Sequence, residues 1–99
     1  MALRVGTVTP RYIASLTLSP SSINANSVSR ETYTSSNDAK ITGLQTDMLL
    51  AVNQVSTQTG LFLLGARVST ANTLQLDWWN STGSPITPTA SQEIRVVAF

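Results

Sequence analysis

Every apolar run in this chain is short and closes on a break rich in Gly, Pro, Asn or Ser, so the core has to be assembled from many short pieces rather than a few long helices. Within those runs the apolar residues alternate. From Tyr12 to Leu18 the side chains of Tyr12, Ala14, Leu16 and Leu18 share one face of an extended chain. From Thr73 to Asn80, Leu74, Leu76 and Trp78 point one way and Thr73, Gln75, Asp77 and Trp79 the other. At the end of the chain Ile94, Val96 and Ala98 share a face and Arg95, Val97 and Phe99 share the opposite one, which implies a second buried surface. Further strands are predicted at 28–35, 41–44, 48–55 and 61–69, with a short edge segment at 86–88 limited by its prolines. Asp47 is a possible helix cap, but the segment behind it is short and carries β-branched Val52 and Val55, so 48–55 is read as strand. The Leu61, Phe62, Leu63, Leu64 run is apolar on both faces and predicts a central strand covered on both sides.

About seven short strands separated by turn residues define an all-β fold, a single small β-sandwich of jelly-roll or immunoglobulin-like type, or a small barrel. A chain of 99 residues fits one domain. Residues 1–10 read as an extended N-terminal arm and 11–99 as the sandwich. Only 11% of residues are charged, against roughly 25% in soluble domains, so the polar surface has to come from hydroxyl and amide groups; 14 Thr, 13 Ser, six Asn and five Gln supply them. That composition favours strands and turns.

Charge and composition also exclude whole classes of function. The net charge is +1 and no two basic residues are adjacent, so nothing here matches the electrostatic footprint of a nucleic-acid or membrane-surface binder. The apolar runs fall well short of the ~20 residues that cross a bilayer, and the first residues have no signal-peptide core, so synthesis in a cytoplasm is expected. With no His and no Cys, the chain lacks the commonest general base, the thiol nucleophile and the commonest zinc ligands. No cofactor and no metal are expected. The carboxylates Glu31, Asp38, Asp47, Asp77 and Glu93 are too scattered for a calcium loop, and an Asp77–Glu93 pair for glycoside hydrolysis is the one remaining catalytic option. Lys40 lies in a polar turn, where a solvated charge is the ordinary explanation. The five glycines stand too far apart to form a phosphate loop.

What remains is binding. Trp78 and Trp79 are adjacent on a strand and face opposite ways, so both cannot enter one core, and the outward one is a candidate contact for a partner chain or a stacking platform for a sugar. Arg67 is placed to pair with Asp77 across strands or with a carboxylate on another subunit. Val97 and Phe99 lie on the second face of the last strand, and Leu3, Arg4 and Val5 lie in the arm. These residues form the candidate interface.

The C-terminal half carries a resemblance. Gly60 to Leu64, then Ala66, Arg67, Val68, Ser69, Asn72, Thr73 and Leu74, then Asn80, Thr82, Gly83, Ile86, Thr87 and Pro88, resemble in their order the small β-sandwich structural proteins of tailed bacteriophages, including capsid decoration or cement proteins. The resemblance spans roughly residues 44 to 99, while the N-terminal part matches in general character only. It implies a non-enzymatic virion protein on the outer capsid surface, often a homotrimer, whose partner is the major capsid protein. The alternative is a tail or fibre module that binds a host surface glycan.

Overall fold

The computed structural model describes residues 9–99, so the arm residues Leu3, Arg4 and Val5 lie outside the described residues. Six strands follow one another: β1 (Tyr12–Leu18), β2 (Ser27–Thr34), β3 (Leu50–Gln54), β4 (Leu61–Val68), β5 (Thr73–Asn80) and β6 (Gln92–Ala98). They form two three-stranded antiparallel sheets, ordered β1-β6-β3 and β2-β5-β4. The expected all-β sandwich is therefore the fold.

Alternation explains how the two sheets meet. Leu16, Leu18, Ile94, Val96 and Ala98 project from the first sheet and Tyr33, Leu61, Val68, Leu74, Leu76 and Trp78 from the second, all buried in one core. Each large apolar side chain taken out of water contributes about 1.5–3 kcal/mol. Ile41 and Leu44 join this core without being in a strand. The strand expected at 41–44 is a single 3-10 turn, Ala39–Ile41, because Asp38 caps it by accepting the Lys40 N–H at 2.9 Å. A local side-chain bond of this kind competes with ladder pairing. Asp38 also accepts the N–H of Thr17 at 2.9 Å, which covers part of the free edge of β1. Burial opposes ionisation of Asp38, but the two backbone N–H groups and the Lys40 charge outweigh it and hold the carboxyl below its ordinary range. On the other sheet, Glu31 of edge strand β2 accepts the Ser21 N–H at 2.7 Å.

Two further expectations change. The edge segment at 86–88 reduces to one bridge, Ile23 with Ile86. The Leu61 run is not a central strand: β4 lies at the edge of its sheet, and Phe62 and Leu64 are exposed. A bulge between Leu63 and Gly65 shifts the register there, so Leu64 and Gly65 both turn outward and Ala66 and Val68 return to the core side. Without that shift, Arg67 would point inward.

Tyr33 joins the core to its polar margin. Its hydroxyl accepts the indole N–H of Trp78 at 3.1 Å and faces Glu31 at 3.4 Å. Burial pushes the phenol well above its ordinary value; the Trp78 bond works against this and the Glu31 carboxylate with it. Tyr12 is raised too, by burial and by Asp38. A group whose folded pKa is raised stabilises the fold fully below its unfolded pKa, about 10 for tyrosine, and that stability drains away as the pH climbs further. Thermal melts should therefore hold steady up to about pH 9.5 and drop above about pH 10, with Tyr33→Phe removing most of the drop. A midpoint unchanged to about pH 11 would show that the phenols are not held neutral by the fold.

Candidate binding face

The outer face of the β2-β5-β4 sheet gathers the exposed apolar side chains into rows. Val28 and Phe62 are the ladder partners of Trp79 on either side, so the three form one row across all three strands. Leu64 stands beside that row on the bulge, and the four side chains are 56% (Val28), 48% (Phe62), 38% (Trp79) and 56% (Leu64) exposed. Single exposed apolar residues are ordinary on a protein surface; a contiguous aromatic and aliphatic group on one face is not. The rings of Phe62 and Trp79 lie 5.7 Å apart and are tilted by 37°, so they form a step rather than a flat plate.

The neighbouring rows are polar. Arg30, Asp77 and Gly65 make up the next one, and Arg30 holds both oxygens of Asp77 at 2.8 and 3.2 Å. The Arg30 bond, joined by the charges of Arg30 and Arg67 and opposed by partial burial, keeps the Asp77 carboxyl below its ordinary range. Thr32, Gln75 and Arg67 form the third row, where the Arg67 Nε donates to Gln75 Oε1 and Gln75 reaches Thr32 Oγ1 at 3.4 Å. Arg67 thus finds a cross-strand partner, but it is Gln75, because Arg30 already occupies Asp77.

The structure divides the candidate interface. Trp78 is fully buried and belongs to the core; Trp79 and Arg67 share the face just described. Val97 lies on the outer face of the other sheet, in a row with Ile13 and Ala51. There a shallow depression of about 270 Å³ is lined by Ile13, Ser15, Arg95 and Val97 together with Ala14 and Val96. Phe99 is half-buried at the end of that sheet, exchanging backbone hydrogen bonds with Leu49 at 2.9 and 3.1 Å and accepting from Arg11 at 3.1 Å. The sequence does not mark Phe62 and Leu64 as surface residues, since a run apolar on both faces reads as burial on both faces, and Val28, a lone apolar residue between Ser27 and Ser29, carries no signal of its own. Gly65 was the available signal, an isolated glycine inside a strand pattern being a mark of a bulge.

The carboxylate option dissolves on geometry. Asp77 projects from the outer face of one sheet, and Glu93, which accepts from Ser15 Oγ at 2.8 Å, from the other sheet, so the two cannot flank one bond. Among the described residues no group of three or more carboxylates forms a metal-binding cluster. The tripeptide Asn80-Ser81-Thr82 is not an accessible acceptor for a glycan either, because the Asn80 side chain is fully buried. No protein family, curated protein or solved structure matches this chain.

Proposed function

We propose that this chain is a non-enzymatic virion structural protein, a decoration or cement module that attaches to the outer capsid surface through the face built on Val28, Trp79, Phe62 and Leu64. The carrying observation is the row of exposed apolar side chains that crosses all three strands of one sheet. Such a row has little to do for the fold, since the core lies on the opposite side of the same strands. Buried against a partner, it would contribute at roughly 25 cal/mol per Å², with Trp79 as the central anchor. The resemblance of roughly residues 44 to 99 to phage structural proteins supports the capsid as partner, and a homotrimer is the assembly it favours. The step between the Phe62 and Trp79 rings suits a knob from a protein better than the flat face of a sugar.

The test is co-sedimentation of the purified chain with capsid shells of the phage that encodes it. The wild type should pellet saturably, and Trp79→Ser combined with Phe62→Ser should weaken attachment at least about tenfold, the 1.4 kcal/mol that loss of an interface anchor readily exceeds. Both side chains are partly solvated, so melting should shift little. A chain that never pellets with shells, or that binds a glycan array through Trp79, would remove the capsid assignment.

A further inference from the structure

Among the described residues, the outer β2-β5-β4 face carries one cation that forms no ion pair, Arg67. Asp77, the carboxylate nearest to Arg67, has both oxygens committed to Arg30. Arg67 donates only through Nε, to the neutral amide of Gln75, and forms no ion pair among the described residues. That bond ties the guanidinium down at Nε, and its terminal N–H groups have no partner among the described residues. A guanidinium held this way presents a rigid pair of donors matched to a carboxylate.

Between this cation and the aromatic step lies Gly65. A Cβ built there would meet nothing closer than Asp77 Oδ2 at 3.9 Å, so the missing side chain leaves open space beside the Arg30–Asp77 pair, with Leu64 before it in the strand and Arg67 two residues beyond. Its backbone lies outside the left-handed region, so the conformation does not require glycine. The open space is a gap in the surface rather than a demand of the fold.

We propose that the face docks a protein segment in which an acidic residue neighbours a leucine- or phenylalanine-sized side chain, the carboxylate meeting Arg67 and the apolar group packing on the exposed Leu64 and Phe62 in the space left open at Gly65. The inference rests on the docking-face reading and adds the chemistry of its partner. A nucleic acid would call for a track of free cations, and among the described residues Arg67 is the only cation of this face without an ion pair. The other cation without an ion pair among the described residues, Arg95, lies on the opposite sheet, where it serves as an internal control of equal charge.

The experiment is an NMR titration of the intact chain with short capped peptides holding Glu or Asp beside Leu or Phe, each matched by its Gln or Asn counterpart. Acidic peptides should shift the amides of residues 62–67 and 75–79 and bind at least about tenfold more tightly than the amide versions. Arg67→Glu and Gly65→Leu should each abolish the response, and Arg95→Glu should leave it intact. Equal binding of acid and amide peptides, shifts confined to the Ile13–Val97 face, or no shifts at all would each overturn the proposal. Shell attachment sorts the two readings: if it survives Arg67→Glu and Gly65→Leu but fails in Trp79→Ser with Phe62→Ser, the docking face stands and the acidic partner falls. If shells never bind while the acidic peptides do, the capsid assignment falls and the acidic partner stands.

Discussion

Trp78→Ala should cost about 3–5 kcal/mol of stability, while Trp79→Ala, one residue along the same strand, should cost less than about 1 kcal/mol. Trp78 is fully buried at the centre of the sandwich, with Leu63 opposite it on β4 and Ser29 on β2, and its indole N–H is satisfied by Tyr33. Truncation leaves a void larger than any neighbour can fill, and it takes from Tyr33 a bond partner in a dry environment. A domain of this size has about 5–15 kcal/mol of stability in all, and each kcal/mol is worth roughly 4–8 °C in melting temperature. Trp78→Ala should therefore melt on the order of 15–30 °C below the wild type, or fail to fold at 37 °C. Urea melts followed by circular dichroism would measure both variants. If they lost similar amounts, the core and the binding face could not be the separate things the fold makes them.

That pair of tryptophans also marks what a sequence can and cannot tell. The alternation of β5 is strict, so opposite orientations of Trp78 and Trp79 follow from the period of a strand alone. Which one faces inward depends on which side of β5 receives the other sheet, and the structure puts that sheet on the side of Leu74 and Leu76, the apolar face that Trp78 shares, leaving Trp79 with Thr73, Gln75 and Asp77. β6 was legible for the same reason as β5, and its place at the centre of its sheet accounts for the apolar Val97 on its outer side. β4 misled because a hydrophobic run reports low polarity, not neighbours; the bulge that turns Leu64 and Gly65 outward is a register event between two strands. The 3-10 turn at 39–41 was hidden by a contest between Asp38 and the ladder, settled by Thr17, which is distant in the sequence. Of the residues on this outer face, Trp79 and Arg67 are candidates from the sequence, whereas Val28, Phe62 and Leu64 come into view only once strands are paired into rows.

The outer face of the β2-β5-β4 sheet ends at a turn whose integrity depends on one side chain, and there the second large effect is expected. Asn80 is fully buried, and its amide is fully used: Nδ2 donates to the carbonyls of Ile23 at 3.1 Å and Ser84 at 2.8 Å, while Oδ1 accepts from Thr82 N at 2.9 Å and Thr82 Oγ1 at 2.7 Å. Asn80→Asp keeps the shape but points a carboxylate oxygen at two carbonyls without water between them, at a cost of at least about 3 kcal/mol near neutral pH. Protonation relieves that repulsion, so the folded-state pKa of the new carboxyl must lie above its unfolded value of about 3.9. Its folded form is then tolerated below about pH 4, and stability relative to the wild type is lost as the pH rises through the folded pKa. Asn80→Ala removes the same bonds without adding a charge and should cost about 2–3 kcal/mol at either pH. Urea midpoints at about pH 4 and pH 7, each taken relative to the wild type, separate the two: a gap that widens with pH for Asp and stays constant for Ala. A constant gap for both would mean that water or a rearranged loop reaches the site. The cost would reach the outer face because Asn80 directly follows Trp79 and Ser81 N–H holds the Gly60 carbonyl at 2.9 Å. Gly60 itself has φ +78 and a Cβ there would sit 2.3 Å from Thr82, so the turn admits only glycine at that point and has little freedom to adjust. Loosening Asn80 frees the ends of β4 and β5 together, and with them the Phe62–Trp79 step at the centre of the proposed docking face.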